Sequence, residues 1–68
     1  MRQLLRLPAV MKLTGVSRTT VYRLVREGKF PQPIRMEEPK VSAWASDDVE
    51  NWIEDKIEKY RGAPRRYT

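Results

Sequence analysis

Arginines at 18, 23 and 26, hydroxyls at 17, 19 and 20 and a phenol at 22 fall within one stretch, Ser17 to Arg26, that holds no acid. These groups suit recognition of an anionic polymer. Guanidinium forks match phosphates or the guanine edge in the major groove of duplex DNA, and hydroxyls donate to phosphate oxygens. Catalytic combinations do not emerge from the rest of the sequence. With no cysteine and no histidine, thiol nucleophiles, imidazole bases, disulfides and the usual zinc ligands are all removed. The neighbouring acids Glu37-Glu38 and Asp47-Asp48 fall at an expected hairpin tip and an expected helix start. Carboxylates at such places are simply solvated and do not read as an acid/base couple. No phosphate-binding glycine loop is present. The expectation is a binding protein, not an enzyme, with no cofactor, no metal and no small-molecule ligand.

Positioning the basic and hydroxyl groups takes a helix held against another. Pro8 suits the first turn of a short helix, where its missing N–H is not needed, and Val10 and Leu13 lie three apart before that helix ends near Leu13. Thr14-Gly15-Val16 follows as the turn, with Gly15 able to take a positive φ, and Ser17 is a good N-cap for the next helix. Val21, Leu24 and Val25 then fall at i, i+3 and i+4, one face pointing to a core. Arg18, Thr19, Tyr22, Arg23 and Arg26 lie on the other faces. Arg18 and Thr19 sit at the N-terminal end, the part of a recognition helix that enters the major groove. Gly28 closes the helix just past its cap. Two amphipathic helices joined by a glycine turn also occur in many proteins that never touch nucleic acid. The acid-free outer face is what favours DNA.

Sixty-eight residues allow one domain with a thin core, because a chain of this size buries only about 60% of its unfolded surface. The net charge of +5 is unevenly spread. Residues 1 to 45 carry nine basic groups against three acids, residues 46 to 60 carry six acids against two lysines, and three arginines lie from Arg61 onward. Such segregation points to an anionic partner along the N-terminal two thirds, although charge alone also serves solubility. No apolar run approaches a membrane span or a secretory signal, so a cytoplasmic protein with no membrane partner is expected.

Phe30-Pro31-Gln32-Pro33 cannot continue a helix, since each proline lacks a donor and drives its predecessor into extended geometry. Ile34-Arg35-Met36 and Val41-Ser42-Ala43-Trp44 read as two short half-buried strands joined through Glu37-Glu38-Pro39-Lys40. Beside a DNA-reading helix this hairpin would be a wing. Its alternative role is to cover the helices. Ser46 with Asp47 and Asp48 begins a third helix as N-cap and first-turn acids. Val49, Trp52, Ile53, Lys56, Ile57 and Tyr60 form its amphipathic stripe, and Glu50, Glu54, Asp55 and Glu58 face the other way, a side that phosphates would repel. Trp44 and Trp52 both occupy apolar-periodic positions, which favours core packing over stacking on bases. Tyr22 is open between packing on the core and touching a sugar or a thymine methyl.

The order L-P-A-V, T-G-V-S-R-T-T-V-Y-R-L-V, G-K-F-P-Q-P, an aromatic after a hairpin, then S-D-D-V-E-N-W-I resembles the AlpA family of phage-associated regulators over roughly residues 4 to 57. That family is in turn similar to the DNA-binding part of MerR-type proteins and to several phage excisionases. The resemblance implies a mainly α fold with a small β-hairpin, a winged helix-turn-helix of three helices plus a two-stranded wing. Ser17, Arg18, Thr19, Thr20, Tyr22 and Arg23 match the family's recognition helix, and Lys29, Arg35 and Lys40 lie in its wing region. On this likeness Arg18, Thr19 and Arg23 are expected at base edges or adjacent phosphates. Arg26, Lys29, Arg35 and Lys40 are expected on the backbone, where most protein–DNA hydrogen bonds go. The tip Glu37-Glu38-Pro39 departs from the family pattern, which is commonly short and glycine-containing or basic. Two acids would lift the tip off the duplex or turn it to a protein neighbour.

The resulting expectation is a winged helix-turn-helix domain over residues 1–60, followed by a basic, disordered tail over 61–68. Its partner is double-stranded DNA, with additional copies of the chain pairing on the site. Three functions fit: a sequence-specific prokaryotic or phage transcription regulator, an excisionase-like factor that bends DNA during recombination, and a protein-interaction module or phage-encoded inhibitor acting through the acidic side of the third helix.

Overall fold

The computed structural model describes residues 2–61 of the chain. Helix α1 spans Leu7–Thr14, with Pro8 in its first turn and Gly15 at its end in the left-handed region, φ 73°. The Gly15 N–H donates to the Met11 carbonyl at 2.8 Å. Thr14 Oγ1 donates to the Val10 carbonyl at 2.8 Å and accepts from the Val16 N–H at 3.3 Å, so one hydroxyl ties the end of α1 to the start of the turn. Leu13 is 54% exposed, and only Val10 of α1 reaches the centre of the core.

Helix α2, Arg18–Arg26, begins as expected at Ser17, whose Oγ accepts from the Thr20 N–H at 3.3 Å. Its end is closed at both donors that follow the cap. Gly28, at φ 76°, donates to the Val25 carbonyl at 3.1 Å, and Lys29 donates to the Leu24 carbonyl at 2.8 Å. These paired bonds form the Schellman arrangement, which requires the left-handed residue that glycine supplies.

The sheet has three strands, one more than the sequence suggested. Strands β1 (Leu4–Leu5), β2 (Ile34–Arg35) and β3 (Ser42–Ala45) are ordered β1-β3-β2, both pairings antiparallel. Leu4 and Leu5 register with Ala45 and Trp44, and Ile34 and Arg35 with Ala43 and Ser42. The wing itself is β2 and β3, with Val41 just outside the strand. The Met36 N–H donates to the Val41 carbonyl at 2.8 Å and closes the tip. The expected half-burial of both strands does not hold. Ile34 and Arg35 are exposed, whereas Ala43, Trp44 and Ala45 are buried in succession. Successive side chains point to opposite faces of a strand, so β3 is covered on both faces; it is the central strand, with α1 and α3 packed on it.

Helix α3, Ser46–Arg61, starts directly at the end of β3. Ser46 does not act as the exposed N-cap that its position suggested. It is buried, its Oγ accepts from the Gln3 N–H at 2.8 Å, and its own N–H donates to the Gln3 carbonyl at 2.7 Å. Asp47 instead bonds the Asp48 N–H at 3.1 Å and pairs with Arg2 at 3.2 Å. The core is Val10, Val21, Phe30, Trp44 and Val49, with Leu5, Leu7, Val16, Leu24, Val25, Trp52 and Ile53 packed around it. Both tryptophans are part of that assembly, and each indole N–H fixes the extended arm after α2. Trp44 donates to the Pro31 carbonyl and Trp52 to the Lys29 carbonyl, both at 2.8 Å. Phe30 presents a T-shaped edge contact to each ring. Arg61 is the last residue of α3, and the expectation of a basic tail beyond it lies outside the described residues. Among the described residues no helix is long and apolar enough to cross a membrane.

Candidate nucleic-acid interface

The core side of α2 determines what its outer side presents. Val21 is fully buried and Leu24 and Val25 pack beside it. At 3.6 residues per turn, Thr19, Tyr22, Arg23 and Arg26 then share the opposite arc, while Arg18, three residues before Val21 and seven before Val25, lies on the flank of the core face; all five are exposed. None of the three arginines is ion-paired with a carboxylate among the described residues. Their guanidinium groups are therefore free for an external anion. The other two members of the expected site have local work. Ser17 Oγ donates to Thr20 Oγ1 at 3.0 Å as well as capping the helix, and Thr20 is half-buried. Tyr22 combines both roles left open for it: its ring lies 6.5 Å from that of Trp44, tilted by 50°, while 41% of the residue is exposed.

Around the N-terminal end of α2 the fold gathers groups from three elements. Arg6, Leu7 and Pro8 at the start of α1, Arg18 and Tyr22 of α2, and Ser42 and Trp44 of β3 line one open hollow. Arg6 was not among the residues singled out in the sequence. It precedes α1 with no side-chain capping bond, and nothing in its neighbours' periodicity marks it. Only the pairing that folds Leu4–Leu5 onto β3 brings Arg6 up beside Arg18. Ser42 also lines a second hollow with Arg35, Met36, Glu37, Lys40 and Val41. The two hollows thus adjoin at Ser42, with Arg6 and Arg18 lining one and Arg35 and Lys40 of the wing lining the other. Glu37 is the acid within it, and Glu38 is exposed at the tip.

Lys29 is not brought to this surface. It pairs with Glu27 at 3.7 Å and lines a groove with Leu24, Trp52, Lys56, Lys59 and Tyr60, between the end of α2 and the C-terminal half of α3. The family resemblance implied a place for Lys29 in the wing region. The Schellman turn at Gly28 and the Trp52 bond to the Lys29 carbonyl direct it to α3 instead. Among the described residues no group of three or more acids is arranged to hold a metal ion.

Two helices joined by a glycine turn, an arginine-bearing second helix and a β-wing beside it define a winged helix-turn-helix protein. The chain belongs to the AlpA family. The family model described as "Prophage CP4-57 regulatory protein (AlpA)" matches residues 3–57, so the family is a regulatory one. An uncharacterized protein, ORF88 of Enterobacteria phage P4, is 42% identical over 53 residues, which cover 78% of this chain and 59% of that protein. The chain thus spans about three fifths of the length of that relative. No solved structure matches the chain at a significant level.

Proposed function

We propose that this protein is a transcription regulator that binds specific double-stranded DNA, with α2 in the major groove and the wing along the neighbouring backbone. The observation that carries this reading is the pair of hollows adjoining at Ser42, one lined by Arg6, Arg18 and Tyr22 and the other by Arg35 and Lys40. Membership in a family of regulatory proteins supports it. A recognition helix presents its N-terminal residues to base edges, which assigns Arg18, Thr19 and Arg23 to bases or adjacent phosphates. Arg6, Arg26, Arg35 and Lys40 neutralise the backbone on either side, and Ser17 and Thr20 hold the first turn of α2 in place. The Ser17 cap leaves the free N–H groups of that turn partly available to a phosphate, where the helix dipole also favours negative charge.

The acidic side of α3 is the rival surface. Titration of a fluorescent duplex by anisotropy separates the two, with Arg18→Ala and Glu54→Lys proteins run beside the wild type. The DNA reading expects Arg18→Ala to lose roughly 10-fold to 100-fold in affinity, as for loss of one bidentate guanine contact of about 1–3 kcal/mol, and Glu54→Lys to bind at least as well as wild type. Unchanged binding by Arg18→Ala overturns it.

A further inference from the structure

The groove that receives Lys29 is a second surface with a chemistry of its own. Its floor is Leu24, Trp52 and Tyr60, and its rim is Lys29, Lys56 and Lys59. The Lys56 ammonium sits 5.3 Å from the Trp52 ring centroid and the Lys59 ammonium 5.4 Å from that of Tyr60. Among the described residues neither lysine has a carboxylate partner. Tyr60 is 64% exposed although it continues the stripe by which α3 packs on the core. An occupant of this groove must bring an apolar group flanked by acids.

Duplex DNA lying on the arginine face of α2 does not meet that requirement. Leu24 is roughly half a turn around α2 from Tyr22 and Arg26, so the groove opens on the opposite side of the helix. The chain's own C-terminal residues 62–68 carry Arg65 and Arg66 and no acid, the wrong charge for a lysine rim. The required pattern does exist elsewhere on this molecule. Around α3 from the groove, Glu54, Ile57, Glu58 and Arg61 line another hollow, and Ile57 is 37% exposed between its two glutamates.

We infer that the groove of Leu24, Trp52 and Tyr60 packs against the Ile57 patch of a second copy of this chain, with Glu54 and Glu58 of that copy facing the Lys29, Lys56 and Lys59 rim. The patch and the groove are different surfaces, so the contact is heterologous and leaves one of each free for further copies. It is small. Such a contact is weak between free molecules and grows effective where binding to neighbouring places raises the local concentration. The inference stands apart from DNA reading, since it uses none of the residues assigned to base recognition.

The absence of cysteine from the sequence permits a direct test without DNA. Lys29→Cys and Glu58→Cys proteins are mixed at high concentration and treated with a short bis-maleimide, and the products are separated by mass. The expected result is a several-fold excess of the mixed dimer over its statistical share. Adding Lys56→Glu and Lys59→Glu to the Lys29→Cys partner should abolish the excess, and adding Glu54→Lys to the Glu58→Cys partner should restore it. Far-ultraviolet circular dichroism of each variant checks that it remains folded. Statistical proportions with the two single-cysteine proteins overturn the inference, as does a loss that the compensating charge does not restore. If instead Lys56→Glu and Lys59→Glu weaken binding of duplex DNA while cross-linking stays statistical, the groove is a DNA surface and the inference is wrong. No result of the cross-linking bears on whether α2 reads DNA.

Discussion

Replacing Trp44 by phenylalanine tests whether the aromatic residues here are struts or base-stacking platforms. Trp44 is 1% exposed, its indole N–H donates to the Pro31 carbonyl at 2.8 Å, and Phe30 and Tyr22 lie against it. Phenylalanine keeps the apolar ring but removes the donor and part of the volume. Loss of one hydrogen bond in a packed site costs about 1 kcal/mol net. The space left by the smaller ring adds about 1–2 kcal/mol, a fraction of the 3–5 kcal/mol for removing a whole aromatic side chain. In a domain of this size a total of about 2–3 kcal/mol lowers the melting temperature by about 10–20 °C. Trp52 makes the matching bond to the Lys29 carbonyl at 2.8 Å but is only half-buried, so Trp52→Phe should cost about 1 kcal/mol. Thermal melts followed by circular dichroism give both values. Duplex DNA titrations well below the melts should show affinities within about twofold of wild type, a difference of only about 0.4 kcal/mol. A Trp44→Phe protein that melts with the wild type yet loses DNA binding would refute the reasoning, because it would make the indole a contact and not a support.

Three further outcomes follow from individual contacts. Gly15→Ala should destabilise by about 1–2 kcal/mol through left-handed strain alone, since φ is 73° and an added Cβ meets nothing within 4 Å; Gly15→Asn should lose less, as measured by the same melts. Ser46→Ala leaves the Gln3 N–H without its 2.8 Å acceptor, so hydrogen exchange at that amide should accelerate and stability fall by about 1–2 kcal/mol. If Arg6 touches a phosphate, Arg6→Ala should reduce the dependence of log affinity on log salt by about 0.9, with sequence preference unchanged; an unaltered slope would remove Arg6 from the interface.

How much of this was legible in the sequence depended on range. The Gly15 turn, the Ser17 cap, the Gly28 closure and the Val21-Leu24-Val25 face are local, fixed by residues within one or two helical turns of one another, and they stand where spacing put them. The N-terminal half of the α3 stripe, Val49, Trp52 and Ile53, and the core roles of both tryptophans were equally readable from period, whereas Ile57 and Tyr60 further along it are exposed. Strand β1 was not. Leu4 and Leu5 are an unremarkable pair until β3 lies beside them, and the tie between Gln3 and Ser46 joins residues 43 apart in the chain. The same long-range pairing converts Ser46 from a cap into a buried acceptor and puts Arg6 next to Arg18. Burial on both faces of β3 likewise erased the alternation expected of a wing strand, since the two small residues Ala43 and Ala45 occupy one face and Trp44 the other. Lys29 shows the complementary limit. The family resemblance suggested the wing, and the glycine turn with the Trp52 bond to its carbonyl directs it to α3.

The central claim is specific reading of DNA by α2, and selection of bound duplexes from a randomised pool at moderate salt tests it most directly, with Arg18→Ala run beside the wild type. The account predicts an enriched motif with the wild type and a relaxed preference at one position with the variant. No enrichment by the wild type, or the same motif from both proteins, would contradict it.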